Sequence, residues 1–378
     1  MPLLNSLYIH IPFCVKKCIY CDFFSVPYDK ALAMGYINSV LKELELRRES
    51  AGILRTVYIG GGTPTTVPTL ALIRLLQTIR DMFHITPGAE LTIEANPGTV
   101  TREMISALSE SGINRLSVGV QSFNDKELTL LGRIHDFSEA LKSVATARHA
   151  GITNLSVDLI YGIPGQTLQD WAHTVSTAME LSPEHISAYE LTPEKDTPLH
   201  ELISTGKLEK PDEETVLGMY SHAMDRFGEA GYDHYEISNF AKPRFQCRHN
   251  LNYWNRGQYL GIGAAAHSFV GNKRIRNTSD ILKYMALVSQ GSLPEEEVLE
   301  ISRVDAIKES IFLGLRKTEG LDIRGFRENL DIDLVKIADR LIHDELLISD
   351  GTHVRLTRKG IVVSNIVITE LFTLLGLD

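Results

Sequence analysis

Six runs rich in β-branched and other apolar residues, each followed by a stretch of helical period, constrain this chain more than any other feature. The runs are Leu7–Pro12, Thr56–Gly60, Glu90–Ala95, Arg115–Gln121, Asn154–Tyr161 and His185–Leu191. Between them, Leu32, Tyr36, Ile37, Val40, Leu41 and Leu44 share one helical face, and Leu70, Ile73, Leu76 and Ile79 share another. Asn124 with Glu127, and Thr167 with Asp170, have the spacing of capping boxes at helix starts. Repeated strand–helix units of this kind predict an α/β fold with a parallel sheet and outer helices, as a barrel or a doubly wound sheet. The units are too unequal in length and sequence to form a solenoid.

The pattern changes after about residue 235. Tyr235–Ala241 reads as one more strand, followed by a polar, aromatic stretch, His249–Tyr259, and a glycine-rich segment, Gly261–Ala266. From about Pro294 the chain becomes mostly helical, with helical spacing over Val304–Leu315 and Leu334–Leu346. Leu347–Asp350, a turn at Asp350-Gly351, and Val354–Leu356 then form a short hairpin, the order of a winged helix. The expected organisation is a βα barrel over 1–235, a linking region over 236–293, and a small helical, winged-helix-like domain over 294–378. Winged helices often bind DNA, but Arg355, Arg358 and Lys359 are the only nearby basic cluster. With 38 Lys+Arg against 48 Asp+Glu, the chain carries a formal charge of −10, so nucleic acid is not an expected partner. The module reads instead as a lid or packing domain.

Composition excludes other classes. A hydrophobic content of 43% with 23% charged residues over 378 positions suits a folded, core-forming protein rather than a disordered one. No run of eighteen apolar residues occurs, and the first thirteen residues hold no Lys or Arg. A cytoplasmic protein is the expectation. Peripheral membrane association stays open, although no basic amphipathic anchor stands out.

The cysteines point to chemistry. Three of the four, Cys14, Cys18 and Cys21, fall within eight residues, directly after the first strand. Cysteines so close make strained disulfides, and clustered thiols without a secretion signal read as a metal or redox site. Three thiolates from one loop suit three irons of a cubane cluster and leave the fourth iron open to a small molecule. Structural zinc is the other reading, with His10 as the nearest fourth ligand.

The Cys-x3-Cys-x2-Cys loop, with Tyr20 just before its last cysteine, resembles the radical S-adenosylmethionine (SAM) superfamily. Gly60-Gly61-Gly62-Thr63-Pro64, at the end of the second strand, is similar to that family's glycine-rich SAM contact. The resemblance implies a [4Fe-4S] cluster on Cys14, Cys18 and Cys21, and a partial (β/α)6-type barrel. It also implies SAM chelated to the open iron and cleaved to a 5′-deoxyadenosyl radical. Polar groups at further strand ends, Glu94, Gln121 and Asp158, fit a barrel whose chemistry gathers at one mouth.

Within the superfamily, Tyr8-Ile-His-Ile-Pro-Phe-Cys14, Gly119-Val-Gln-Ser-Phe123, Gly132-Arg-Ile-His135 and Asp158-Leu-Ile-Tyr-Gly-Ile-Pro164 resemble the oxygen-independent coproporphyrinogen III oxidase-like group. Carried over by motif, Tyr8, Tyr20, Gly61, Gly62, Thr63, Glu94, Gln121, Arg133 and Asp158 contact SAM. Those oxidases hold two SAM molecules: Tyr8, Gly61 and Glu94 match positions serving the first, and the others match the second. The oxidases carry a further cysteine where this chain has Phe23. They also have an N-terminal extension, whereas this chain starts almost at the Tyr-x-His motif.

His249-Asn250-x-x-Tyr253-Trp254 is similar instead to the HemW-type haem chaperones, in which that motif is associated with haem binding. The resemblance makes His249 the expected axial haem ligand and Cys247 a weaker one. Imidazole and thiolate both ligate haem iron, and Tyr253 and Trp254 offer flat apolar surface. On a strand, Cys247 and His249 would face the same side. His267 is a further candidate ligand, expected rather to pack beside Gly261–Gly263. The expected function is a haem chaperone passing haem to an apo-haemoprotein acceptor, with an electron donor for the cluster and homodimer formation left open. Oxidative decarboxylation of coproporphyrinogen III is the alternative activity, and a zinc-stabilised binding protein is the third reading.

Overall fold

The computed structural model describes residues 4–50 and 52–377. Strands form where the apolar runs predict them: β1 (Ser6–Ile11), β2 (Ile53–Gly61), β3 (His84–Ala95), β4 (Arg115–Gln121), β5 (Leu155–Tyr161) and β6 (His185–Glu190). They lie side by side in chain order and all parallel. Beyond β6 the sheet continues antiparallel through β8 (Asn239–Ala241) to β7 (Asp233–Glu236). At the other edge β9 (Leu260–Ile262) runs parallel to β1. The two edge strands do not pair with each other, so the α/β fold is an open, partial barrel.

The stretch 236–293 also contributes strands to the main sheet. Within it, β8 lies between β6 and β7, and β9 forms the opposite edge. Leu260-Gly-Ile262 is too short to reveal a period of two, and it becomes a strand by pairing with Leu7–Ile9. The same stretch supplies most of a second sheet, of β10 (His267–Val270), β11 (Lys273–Asn277) and β12 (Glu295–Glu300). Arg248–Trp254, at the start of the polar, aromatic stretch, is a helix. His267 opens β10, and its carbonyl crosses so close to Gly261 that a Cβ there would lie 1.9 Å from the oxygen.

A parallel sheet covered by helices is normally apolar on both faces. Here each strand alternates instead. In β4, Leu116, Val118 and Val120 are fully buried in the core shared with the outer helices, while Arg115, Ser117, Gly119 and Gln121 line a cavity. Tyr58, Glu94, Asp158 and Ser187 do the same from β2, β3, β5 and β6, so the sheet wraps a polar interior. The helices start where capping chemistry predicts. Thr167 and Asp170 form a reciprocal box ahead of Leu168–Glu180. Asn124 caps its helix through Lys126 N, but Glu127 turns inward to accept from Ser122 (2.5 Å) and Gln166 (3.1 Å).

The C-terminal part has its own core, in which Ile311, Leu315, Phe326, Leu341, Leu356 and Leu371 pack together. Its small sheet joins β13 (Leu321–Asp322), β14 (Leu347–Ser349) and β15 (His353–Leu356), with the predicted turn closed by Asp350 Oδ1 accepting from Thr352 N and His353 N. Glu309, on helix Arg303–Gly314, ties this part to the rest by pairing with Arg256 (2.8 Å) and Arg274 (3.2 Å). Both guanidinium groups also lie over the Phe269 ring. No helix among the described residues is long and apolar enough to cross a membrane.

Candidate functional site

A cavity of about 470 Å³ opens at the C-terminal ends of the parallel strands. The cysteine loop forms its rim. Phe13–Cys14 pairs with Val26–Pro27, which closes the loop at its base, while Ile19 N donates to the Leu131 carbonyl (3.2 Å). Cys14 is buried, whereas Cys18 and Cys21 are half-buried and line the cavity. Burial pushes the Cys21 thiol up to about 11, so at neutral pH it becomes a thiolate only when a metal takes the place of its proton. Among the described residues no three His, Cys, Asp or Glu side chains converge as one small ion would require. The three thiols share one rim, and a cluster that takes one thiolate per iron is a group such a rim could hold.

The glycine motif is strapped to this loop. Thr63 N donates to the Phe13 carbonyl (2.8 Å) and Gly62 N to the Ile11 carbonyl (2.9 Å). A Cβ on Gly62 would lie 2.8 Å from the Phe13 oxygen and 3.0 Å from Cys14 Sγ. Gly61 has φ +119°, a conformation open to glycine alone, and a Cβ there would meet the His10 ring at 2.7 Å. The motif is therefore a close backbone approach rather than a turn. Gly61 N donates to Glu94 Oε2 (3.0 Å), and Tyr58 OH donates to Oε1 (2.7 Å). Burial nevertheless raises the Glu94 carboxyl to about 7. A carboxylate on the cavity wall suits an ammonium group.

Arg133 links the rim to the wall. Its Nη1 donates to Cys18 Sγ (3.3 Å) and lies 3.4 Å from Tyr20 OH. Its Nη2 donates to the Gly119 carbonyl (2.6 Å) and to Asn96, whose Nδ2 donates to Thr63 (2.8 Å). Gln121 ends β4 at φ +71°, in a left-handed conformation at a bulge in the strand. Asp158 accepts from Ser117 (2.9 Å), Ser156 (3.1 Å) and Ser187 (2.7 Å), and burial still raises its carboxyl.

The three loop cysteines, Tyr20, Gly61, Gly62, Thr63, Glu94, Gln121, Arg133 and Asp158 thus meet around one cavity. Tyr8 does not line it. Its hydroxyl pairs with His10 Nδ1 (2.9 Å) and its ring stacks beside Tyr58. His10, the zinc alternative's fourth ligand, binds the Phe24 carbonyl through Nε2 (3.0 Å). Sequence reading missed Tyr58, Asn96, Arg115, Ser117, Ser187 and Asn250 on the cavity wall. The period of two was the available signal: Arg115 and Ser117 share the face of Gln121, and Asn96 that of Glu94.

The structure places His249 and Cys247 away from the cysteine rim. Both lie at the opposite, N-terminal end of the strands, on or before helix Arg248–Trp254, and are 1% and 0% exposed. Glu90 of β3 accepts from Arg248 N and His249 N (3.0 Å each) and from Cys247 Sγ (3.6 Å), pinning the helix there. Both His249 nitrogens are engaged, Nδ1 with Thr56 Oγ1 and Nε2 with Tyr253 OH, at 2.8 Å each. The ring stacks on Tyr58 at 5.1 Å. Burial drives its pKa down to about 3 and that of Cys247 up to about 12, so both stay neutral. With these bonds in place both ring nitrogens have partners within the protein. Cys247 sits at the N-cap of the helix and His249 in its first turn, so the two do not share a strand face.

Comparison with known proteins agrees with this geometry. The radical SAM superfamily model matches residues 8–178, and the HemN C-terminal domain model matches 301–363. Haem chaperone HemW of Bacillus subtilis is 36% identical over 369 residues, 96% of this chain and 97% of that one. HemW of Escherichia coli is 39% identical over 273 residues, 70% of each chain. The structure of the E. coli coproporphyrinogen III oxidase HemN, a radical SAM enzyme, superposes with a TM-score of 0.84 at 24% identity, covering 98% of this chain and 91% of that one. That last likeness speaks for the fold alone. A cysteine rim, a glycine strap and full-length identity to HemW proteins have one common meaning: the chain belongs to the radical SAM superfamily and, within it, to the HemW family.

Proposed function

We propose that this protein is a haem chaperone that carries a [4Fe-4S] cluster on Cys14, Cys18 and Cys21, binds SAM in the cavity beneath them, and passes haem to an acceptor apoprotein. The observation that carries this reading is the 36% identity to a protein named haem chaperone over 96% of the chain. The rim geometry supports it, because the fourth cysteine lies buried among Glu90 and Arg115 at the far end of the strands. When bound, the cluster supplies an open iron that can chelate and reduce SAM.

The chain's own residues would hold that ligand. Glu94 takes its ammonium, Gly61 and Gly62 let the backbone come close, and Arg133 fixes Cys18 against the wall. The serine-bound Asp158 faces the same cavity and offers a further acceptor for hydroxyl or ammonium donors. In this reading neither His249 nor Cys247 ligates haem. A cytoplasmic location, an electron donor for the cluster and homodimer formation belong to the same proposal.

Anaerobic reconstitution should give about four irons per chain, and the protein should then bind haem. With SAM and reductant it should leave coproporphyrinogen III unchanged. Formation of protoporphyrinogen IX would overturn the chaperone reading in favour of the dehydrogenase. Zinc without iron would overturn the cluster.

A further inference from the structure

One buried charged side chain on the cavity wall has no part in the reading of the cluster and SAM. Arg115 opens β4, and its residue is 2% exposed. Its Nε and Nη1 are shut off from solvent without a hydrogen-bond partner. A guanidinium cannot shed its charge when buried, as a lysine or histidine can. Each carboxylate within its field is engaged elsewhere. Glu90 accepts from the backbone of Arg248 and His249, Glu94 from Tyr58 and Gly61, and Asp158 from three serines. Thr92, the register partner of Arg115 on β3, also has a buried hydroxyl without a partner. Asn250 reaches the same cavity from helix Arg248–Trp254. Buried donors are normally paired, so an unpaired guanidinium on the wall of a cavity marks a place for an acceptor.

We propose that Arg115 forms a carboxylate-binding subsite on the wall of the cavity, separate from the residues assigned to the cluster and to SAM. A guanidinium that keeps its charge when buried matches a carboxylate in charge and in planar shape. The carboxylate comes either from a small free acid or from an acidic arm of a larger ligand entering at the mouth. On the haem reading above, that arm is a porphyrin propionate.

The test uses full-length protein reconstituted anaerobically, with [13C]formate as the free probe and haem against haem dimethyl ester as the arm probe. Saturable formate binding, weakened about tenfold or more in Arg115→Gln, assigns the subsite to a free carboxylate. A preference for haem over its dimethyl ester that Arg115→Gln abolishes assigns it to a propionate. Arg115→Lys keeps the charge and loses the fork, so it should show the same weakening where Arg115→Gln does not fold. Formate and haem binding both indifferent to Arg115→Lys overturn the proposal. Normal iron content and haem affinity in that case leave the chaperone reading standing, so the two failures are distinct.

Discussion

Replacing His249 by alanine separates a structural histidine from a haem ligand. The imidazole holds three elements together at the strand bases. Its Nδ1 meets Thr56, whose hydroxyl donates on to Ser6 (2.9 Å), and its Nε2 meets Tyr253. In the variant Thr56 keeps Ser6 as a partner and loses one hydrogen bond, about 1 kcal/mol net. Tyr253 OH loses its partner inside the protein, about 2 kcal/mol. Removing a ring stacked on Tyr58 at 5.1 Å leaves a void costing a further ~1–2 kcal/mol. The sum, about 4–5 kcal/mol, corresponds to a fall in Tm on the order of 5–6 °C for a chain of this size. Thermal unfolding followed by circular dichroism reads the stability, and the haem Soret band, measured well below the new Tm, reads binding. We expect a large fall in Tm with haem binding retained by the folded protein. An unchanged Tm with the haem band lost would refute the reasoning and restore His249 as a ligand.

Three further outcomes follow from the rim and the wall. Glu94 is held at about 7 by burial and is ionised above that pH, so affinity for SAM, whose ammonium it faces, should rise between about pH 6 and 8. Equilibrium dialysis checks this, and Glu94→Gln should bind weakly at every pH. Arg133 donates to the Cys18 sulfur, and losing a donor to a cluster thiolate lowers the reduction potential. Arg133→Gln should therefore shift the cluster midpoint to a more negative value in an EPR-monitored titration. Gly62→Ala should lose most of its iron on reconstitution, because the added Cβ meets the Phe13 oxygen at 2.8 Å and Cys14 Sγ at 3.0 Å. A full complement of iron in that variant would show that the loop has room to move.

The sequence carried the barrel well, because β1 to β6 are long enough for their composition to declare them. Arg115–Gln121 coincides with β4, and Asn154–Tyr161 differs from β5 by one residue. The short strands β8 and β9 have three residues each, and pairing with neighbours remote in sequence creates them. The rim was legible because cysteines three and four apart carry their chemistry in their spacing. His249 was misleading for the opposite reason. An imidazole in a polar, aromatic stretch looks available, and only the approach of Thr56 and Tyr253 from other parts of the chain commits both nitrogens. Arg115 was overlooked among apolar neighbours, although its alternation with Ser117 and Gln121 had already placed it on the inner face.

Haem transfer tests the central claim most directly. Reconstituted protein loaded with one haem is mixed anaerobically with an excess of an apo-haemoprotein, and the acceptor's own haem spectrum is followed with SAM and without it. The account predicts that the acceptor becomes haem-loaded as the donor's band disappears, and that serine variants of Cys14, Cys18 and Cys21 transfer more slowly. Haem that stays on this protein, or transfer no faster than the release of free haem, would contradict it.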